Sequence, residues 1–263
     1  MAEPHKTLRL RSVDPGIVQI SLATGRGNPM SAAFLDELES VLDTLEVTPP
    51  RALVIDGGDG KLFSGGFDVA ELLTFPRETL RRFFQRFSEV LARLTELPTP
   101  TLAAIHSSAV AGGFILPLAC DFRIVQTSDT ARLGLSEVDL GLAVPAAAQV
   151  LLAARTSGPA AMRLTLFGTL ITPEEALTLG YADMLAPDAQ SQAMAMAQAL
   201  ARKPGDGARV TKLATARPLA DRARQAERVS FERFFETWYS EAAQAALTAL
   251  ASRLTATEPT SPP

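Results

Sequence analysis

Apolar positions along the chain follow two periods, and each change of period marks a new element. Leu8, Leu10 and Val13 stand apart among polar residues, and Ile17-Val18-Gln19-Ile20-Ser21-Leu22 alternates with a period of two. With the turn signal Asp14-Pro15-Gly16 between them, these runs predict a β-hairpin. Ser31 reads as an N-cap, after which Phe34, Leu35, Leu38, Val41, Leu42 and Leu45 recur at helical spacing up to Pro49-Pro50. Continuous apolar runs predict buried strands over 52–55, 101–105 and 122–125. A long amphipathic helix is expected over 77–97, carrying Leu80, Phe83, Phe84, Phe87, Val90, Leu91 and Leu94 on one side. The Ala111-Gly112-Gly113 stretch opens a helix in which Pro117 marks a first turn or a kink. Further helices are predicted over 146–154, 158–166 and 173–179, the last capped by Thr172, with a short strand over 181–185.

Beyond Pro187 the pattern is nearly all helical out to about residue 254, and the Thr/Pro-rich residues 255–263 read as a frayed tail. Strands and helices alternate early and helices run together late, which predicts an α/β core over 1–195 and a C-terminal helical region over 196–254.

Composition narrows the function. The 263 residues are 47% hydrophobic and 21% charged, the balance of a folded globular chain rather than a disordered one. Lys+Arg number 25 against 29 Asp+Glu, so bulk charge gives no reason to expect nucleic acid. The single cysteine, Cys120, excludes an internal disulfide and fits a reducing compartment. With only two histidines besides, a metal site built on Cys and His is not expected. The most apolar stretch, 109–120, is broken by Gly112, Gly113 and Pro117 and falls short of the roughly 20 residues of a membrane span. No apolar signal core follows the polar N-terminus, and a cytoplasmic protein without a membrane partner is expected.

Two Gly-rich turns and one carboxylate are the candidate chemistry. Phe63-Ser64-Gly65-Gly66-Phe67-Asp68 and Val110-Ala111-Gly112-Gly113-Phe114 each follow a predicted strand and precede a predicted helix. Glycine there admits a ligand close to the backbone, and two unpaired N–H groups from separate turns can hold one developing oxyanion. The same strings also read as plain strand-to-helix turns. Neither fits a nucleotide-binding fingerprint. Glu137 lies in the apolar, Gly-flanked string Gly134-Leu135-Ser136-Glu137-Val138-Asp139-Leu140-Gly141, where burial would raise its pKa toward that of a general base; alternatively it is a surface loop residue. His106 beside Ser107 and Ser108 lacks the nucleophile-elbow pattern of a serine hydrolase. Arg81, Arg82 and Arg86 read as a solvated helix face. Trp238 and Tyr239, with Phe231, Phe234 and Phe235, read as core or subunit interface.

Taken in order and spacing over residues 8–250, these strings resemble the crotonase superfamily, the enoyl-CoA hydratase/isomerase fold; Thr172-Pro173-Glu174-Glu175-Ala176 and Ser240-Glu241-Ala242-Ala243 add to the match. The resemblance implies a spiral of ββα turns and C-terminal helices packed between subunits of a homotrimer or hexamer. It implies an acyl thioester, on CoA or an acyl-carrier protein, as substrate, with no separate cofactor. The thioester carbonyl would sit in an oxyanion hole formed by the N–H groups of Phe67 and Gly112, flanked by Gly66, Asp68, Gly113 and Ile115 as substrate-binding positions. Lys61 and Arg26 are the candidates for the CoA phosphates. The family's hydratases carry two glutamates. The second matches Glu137, and the first position, six residues before Asp121, is Ile115. One carboxylate suffices for a proton shift, so the pattern resembles the Δ3-Δ2-enoyl-CoA isomerase branch. The alternatives are a decarboxylase of a glutaconyl-type thioester and a catalytically silent thioester-binding subunit.

Overall fold

A computed structural model describes residues 6–14 and 16–256. The hairpin forms as expected from β1 (Leu8–Asp14) and β2 (Ile17–Leu22), with Pro15 of the turn outside the described residues. Four further strands extend the sheet: β3 (Ala52–Asp56), β4 (Thr101–Ile105), β6 (Phe122–Gln126) and β8 (Met184–Ala186). Their order is β1-β2-β3-β4-β6-β8, antiparallel between β1 and β2 and parallel from β2 onward. A second, two-stranded parallel sheet pairs β5 (Ala109–Val110) with β7 (Leu133–Gly134).

Parallel neighbours require crossovers. These are α1 (Ala32–Val47) between β2 and β3, then α2 (Val69–Leu72) and α3 (Arg77–Glu96) between β3 and β4, and α4 (Gly112–Ile115) between β5 and β6. A 3-10 turn, Leu116–Ala119, follows α4 and takes Pro117 in its first positions, where the missing N–H costs nothing. Between β7 and β8 run α5 (Ala146–Arg155), α6 (Gly158–Leu166) and α7 (Pro173–Thr178). The result is a ββα-type spiral followed by α8 (Ala189–Ala201), α9 (Gly207–Trp238) and α10 (Glu241–Ala256). Among the described residues, no helix is long and apolar enough to cross a membrane.

Strand periodicity explains the layers. In β3, Leu53 and Ile55 join the main core with the apolar faces of α1 and α3, while Ala52 and Val54 join a smaller core under α8. The expected boundary after residue 195 falls inside α8, whose Ala189, Ala193 and Ala197 are buried on the sheet. Residues 255 and 256 belong to α10, and the rest of the expected tail lies outside the described residues. The last strand begins later than predicted. Tyr181 turns into the core instead, its ring stacked on Phe114 at 3.9 Å and its hydroxyl donating to the Phe114 carbonyl at 3.0 Å.

Candidate active site

Parallel sheets place ligands beyond the carboxyl ends of their strands, and both Gly-rich turns leave that end. The chain from β3 reaches the first turn and the chain from β4 reaches the second. The small sheet then brings three segments side by side. Ser64 bridges Ala109 in parallel, Val110 pairs with Gly134, and the Ala111 N–H donates to the Gly134 carbonyl at 2.9 Å. The two turns interlock at the glycines. A Cβ on Gly113 would lie 2.3 Å from the Ser64 carbonyl oxygen, an impossible contact, so no larger residue fits. Gly66 adopts φ +96°, and a Cβ there would meet the Gly112 nitrogen at 3.1 Å. Neither the Phe67 N–H nor the Gly112 N–H has a hydrogen-bond partner among the described residues.

Glu137 follows three residues after β7 and precedes a 3-10 turn, Val138–Leu140. Its carbonyl accepts from the Leu140 and Leu142 N–H groups at 3.0 and 2.9 Å, which closes the loop on itself. The side chain is buried and its Oε2 has no partner. Desolvation dominates its titration and pushes the carboxyl up to about 7, against the opposing pull of the Glu137 and Ser136 backbone amides. Glu137, Phe67 and Ala111 face one cavity of about 90 Å³, walled otherwise mainly by apolar side chains including Phe84, Trp238 and Leu247. A shallower groove of about 360 Å³ between α3 and α9 shares no residue with it and is walled by paired charges such as Arg224 and Glu89.

The family model described as enoyl-CoA hydratase/isomerase matches residues 13–256. The chain belongs to the enoyl-CoA hydratase/isomerase family. Within it, the "Probable enoyl-CoA hydratase" of Bacillus subtilis is 33% identical over 194 residues, 73% of this chain and 74% of that protein. Enoyl-CoA delta isomerase 3 of Arabidopsis thaliana is 37% identical over 161 residues, 58% of this chain and 67% of that protein. The crystal structure of human mitochondrial delta3-delta2-enoyl-CoA isomerase superposes with a TM-score of 0.87 at 25% identity, covering 96% of this chain and all of that one.

Other expected site residues in this enoyl-CoA hydratase/isomerase family member take varied places. The Asp68 carboxylate accepts from the Glu71 N–H at 3.0 Å and so caps α2. Ile115 is fully buried in the main core and does not form part of the cavity wall. Arg26 and Lys61 are exposed on the two loops that meet at the first turn, where the Gly65 N–H donates to the Gly27 carbonyl at 2.8 Å. His106 Nε2 bonds to the Gly60 carbonyl at 2.8 Å, and the Ser108 hydroxyl accepts from the Arg132 N–H at 2.9 Å, so both serve loop structure. Cys120 is fully buried and its thiol is pushed up to about 12 by burial, which leaves it inert as a nucleophile. Arg81 pairs with Glu232 across to α9, and Arg86 with Glu39 and Asp36 on α1, rather than facing water alone.

Three features escaped the pattern. The aromatic stripe of α9 is core, one of its two expected readings, but its Phe234 and Trp238 also wall the cavity, which was not expected. The C-terminal region, expected between subunits, gives Leu247 and Leu250 of α10 to the cavity of its own chain. Asn28, read only as the end of a loop, is 1% exposed and at φ +44°; its one sequence-level signal was an asparagine closing a Gly-rich loop, the non-glycine residue that best tolerates the left-handed region.

Proposed function

We propose that the protein is an acyl-CoA double-bond isomerase that converts a 3-enoyl thioester into the conjugated 2-enoyl thioester. Glu137, as carboxylate, takes a proton from C2. The electron pair delocalises onto the thioester oxygen, where the N–H groups of Phe67 and Gly112 hold the enolate. Glu137 then returns the proton to C4, the double bond settles between C2 and C3, and the carboxylate is regenerated. No separate cofactor enters the reaction. A positioned base contributes typically about 10²–10⁴-fold, and each oxyanion donor about 10²–10³.

The observation that carries this reading is a single buried carboxylate with an unpartnered oxygen, facing the same apolar cavity as both Gly-rich turns. The apolar surroundings raise its basicity and keep the abstracted proton from exchanging with water. Ile115, at the position of the hydratases' first glutamate, is buried outside the cavity wall and offers no polar group to orient a nucleophilic water. Lys61 and Arg26, on exposed loops at the first turn, are the side chains we assign to the CoA phosphates. We place the reaction in the cytoplasm and assemble the chain as a homotrimer or a hexamer of paired trimers.

The test is a thioester panel. Purified protein is given 3-enoyl-CoA, 2-enoyl-CoA and a glutaconyl-type CoA, and conjugated enoyl absorbance, hydrated product and CO₂ are followed. Conjugation of the 3-enoyl thioester without hydration is expected. Hydration of the 2-enoyl thioester outpacing that shift, CO₂ release, or tight binding without turnover would each replace the isomerase reading.

A further inference from the structure

Among the described residues only two non-glycines adopt a positive φ, Asn28 at +44° and Ala111 at +51°, and both adjoin the turns of the site. Such strain is retained where surrounding contacts over-determine it. For Ala111 the purpose is evident, because the next N–H is that of Gly112. For Asn28 the surroundings supply it. Its side-chain Nδ2 lies 2.7 Å from the Gly57 carbonyl and 3.1 Å from each of the Leu62 and Phe63 carbonyls. An amide has two N–H donors, so three acceptors converge on it, and together they tie down both ends of the loop that leads into the first turn.

The same segment consumes the neighbouring amides of that turn. The Gly65 N–H donates to the Gly27 carbonyl at 2.8 Å, and the Asp68 N–H donates to the Met30 carbonyl at 3.1 Å. The Ser64 hydroxyl donates to the Asn28 carbonyl at 2.7 Å and accepts from the Gly66 N–H at 3.1 Å. In return the Met30 N–H donates to the Gly66 carbonyl at 2.8 Å. Of the four amides from Gly65 to Asp68, three are thereby spent, and only that of Phe67 is left without a partner among the described residues.

We propose that Asn28 is a positioning residue for the enolate site, its side-chain amide and the Ser64 hydroxyl together fixing the direction of the Phe67 N–H. The proposal rests on the oxyanion role given above to Phe67 and Gly112. Misplacing a reacting or stabilising group by about 1 Å costs on the order of 10²-fold in rate, so a clamp remote from the substrate has a kinetic consequence. Replacing Asn28 by aspartate turns a donor into an oxygen facing three carbonyl oxygens. Replacing Ser64 by alanine removes the relay alone, at a buried site with little change in volume.

The experiment compares the parent protein with Asn28→Asp, Ser64→Ala and Glu137→Gln. It measures kcat and KM for the isomerisation, melting temperature, and the infrared carbonyl stretch of bound butyryl-CoA carrying ¹³C at the thioester carbon. The parent is expected to lower that stretch relative to buffer. In both positioning variants it should move back toward the buffer value, with kcat down about 10- to 100-fold and KM within about threefold. Glu137→Gln should abolish turnover and leave the stretch as in the parent. Should Asn28→Asp not fold, Ser64→Ala decides alone. Lower melting temperatures with the parental stretch would make Asn28 merely structural and overturn the proposal, as would a parent that leaves the stretch unmoved. A Glu137→Gln variant that still turns over would instead overturn the isomerase mechanism, with the spectrum still deciding the role of Asn28.

Discussion

Burial raises the Glu137 carboxyl from its ordinary value near 4.5 to about 7, which ties both activity and stability to pH. The base acts only when ionised. The value of kcat/KM should therefore climb about tenfold per pH unit below 7 and level off above it, as measured in a pH–rate profile of the free enzyme. Stability moves the other way. The native state holds the proton more tightly than the unfolded chain, so between about 4.5 and 7 stability falls as pH rises, and above 7 the whole burial penalty, about 3 kcal/mol, is present. Glu137→Gln removes that penalty. It should raise the denaturation midpoint clearly at pH 8 and hardly at pH 4, and equal effects at the two pH values would contradict the buried carboxylate. At this scale the sequence was readable where a residue's surroundings are local: the apolar neighbours of Glu137 announce its burial. It was not readable where partners lie far along the chain. Asn28 meets carbonyls 29 to 35 positions away, and Asp68, beside the first turn, spends its carboxylate on a helix cap.

Helix α9 acts as a strap that ties the sheet to the site. Near its start Lys212 donates to the Thr99 carbonyl at 2.7 Å and pairs with Asp121 at 2.8 Å. At its middle Arg224 pairs with Glu89 and Glu96 of α3. One turn later the Glu227 carboxylate accepts from the Ala147 N–H at 2.9 Å, an anion placed at the N-terminus of α5. At its end the Thr237 hydroxyl accepts from the Ala143 N–H at 3.1 Å, holding the loop that carries Glu137. Thr237→Val keeps the shape and removes the acceptor. It should destabilise by about 1 kcal/mol in chemical denaturation and lower kcat, by at most about 10²-fold, with KM nearly unchanged. Glu227→Gln keeps an acceptor and should be tolerated, whereas Glu227→Ala strands the Ala147 N–H and should cost about 1–3 kcal/mol. The long α3 was legible because many residues repeat a period, whereas α8, α9 and α10 were read only as one helical stretch beyond Pro187. The two-residue strands β5 and β7 were not legible, since two positions carry no period, although they align both turns with Glu137.

At the scale of the whole molecule, the described residues include a stretch of exposed apolar side chains on and after α6. Between residues 162 and 177, Met162, Leu166, Phe167, Leu170 and Leu177 are exposed, Phe167 to 75% of its area. Large exposed apolar side chains gathered in one region mark an interaction surface. They follow Glu137 in the chain, and the Gly168 turn among them packs on Asp139, two residues from that carboxylate; a Cβ on Gly168 would come within 2.8 Å of Asp139 Oδ2. A second copy covering α6 would also brace the far side of the Glu137 loop, which would give the proposed oligomer a role in holding the base. For the proposed trimer or hexamer, sedimentation equilibrium should return three or six times the 28.0 kDa chain mass. A Leu166→Asp/Phe167→Asp variant places two charges where burial would be needed, and so should sediment as a smaller species with its far-UV spectrum retained. Because Glu137 sits on the loop so braced, the dissociated variant should also lose kcat in proportion to the fraction dissociated. A variant that keeps the parent's assembly would put the subunit contact elsewhere on the surface, and one that dissociates at full activity would show that the Glu137 loop needs only the contacts of its own chain.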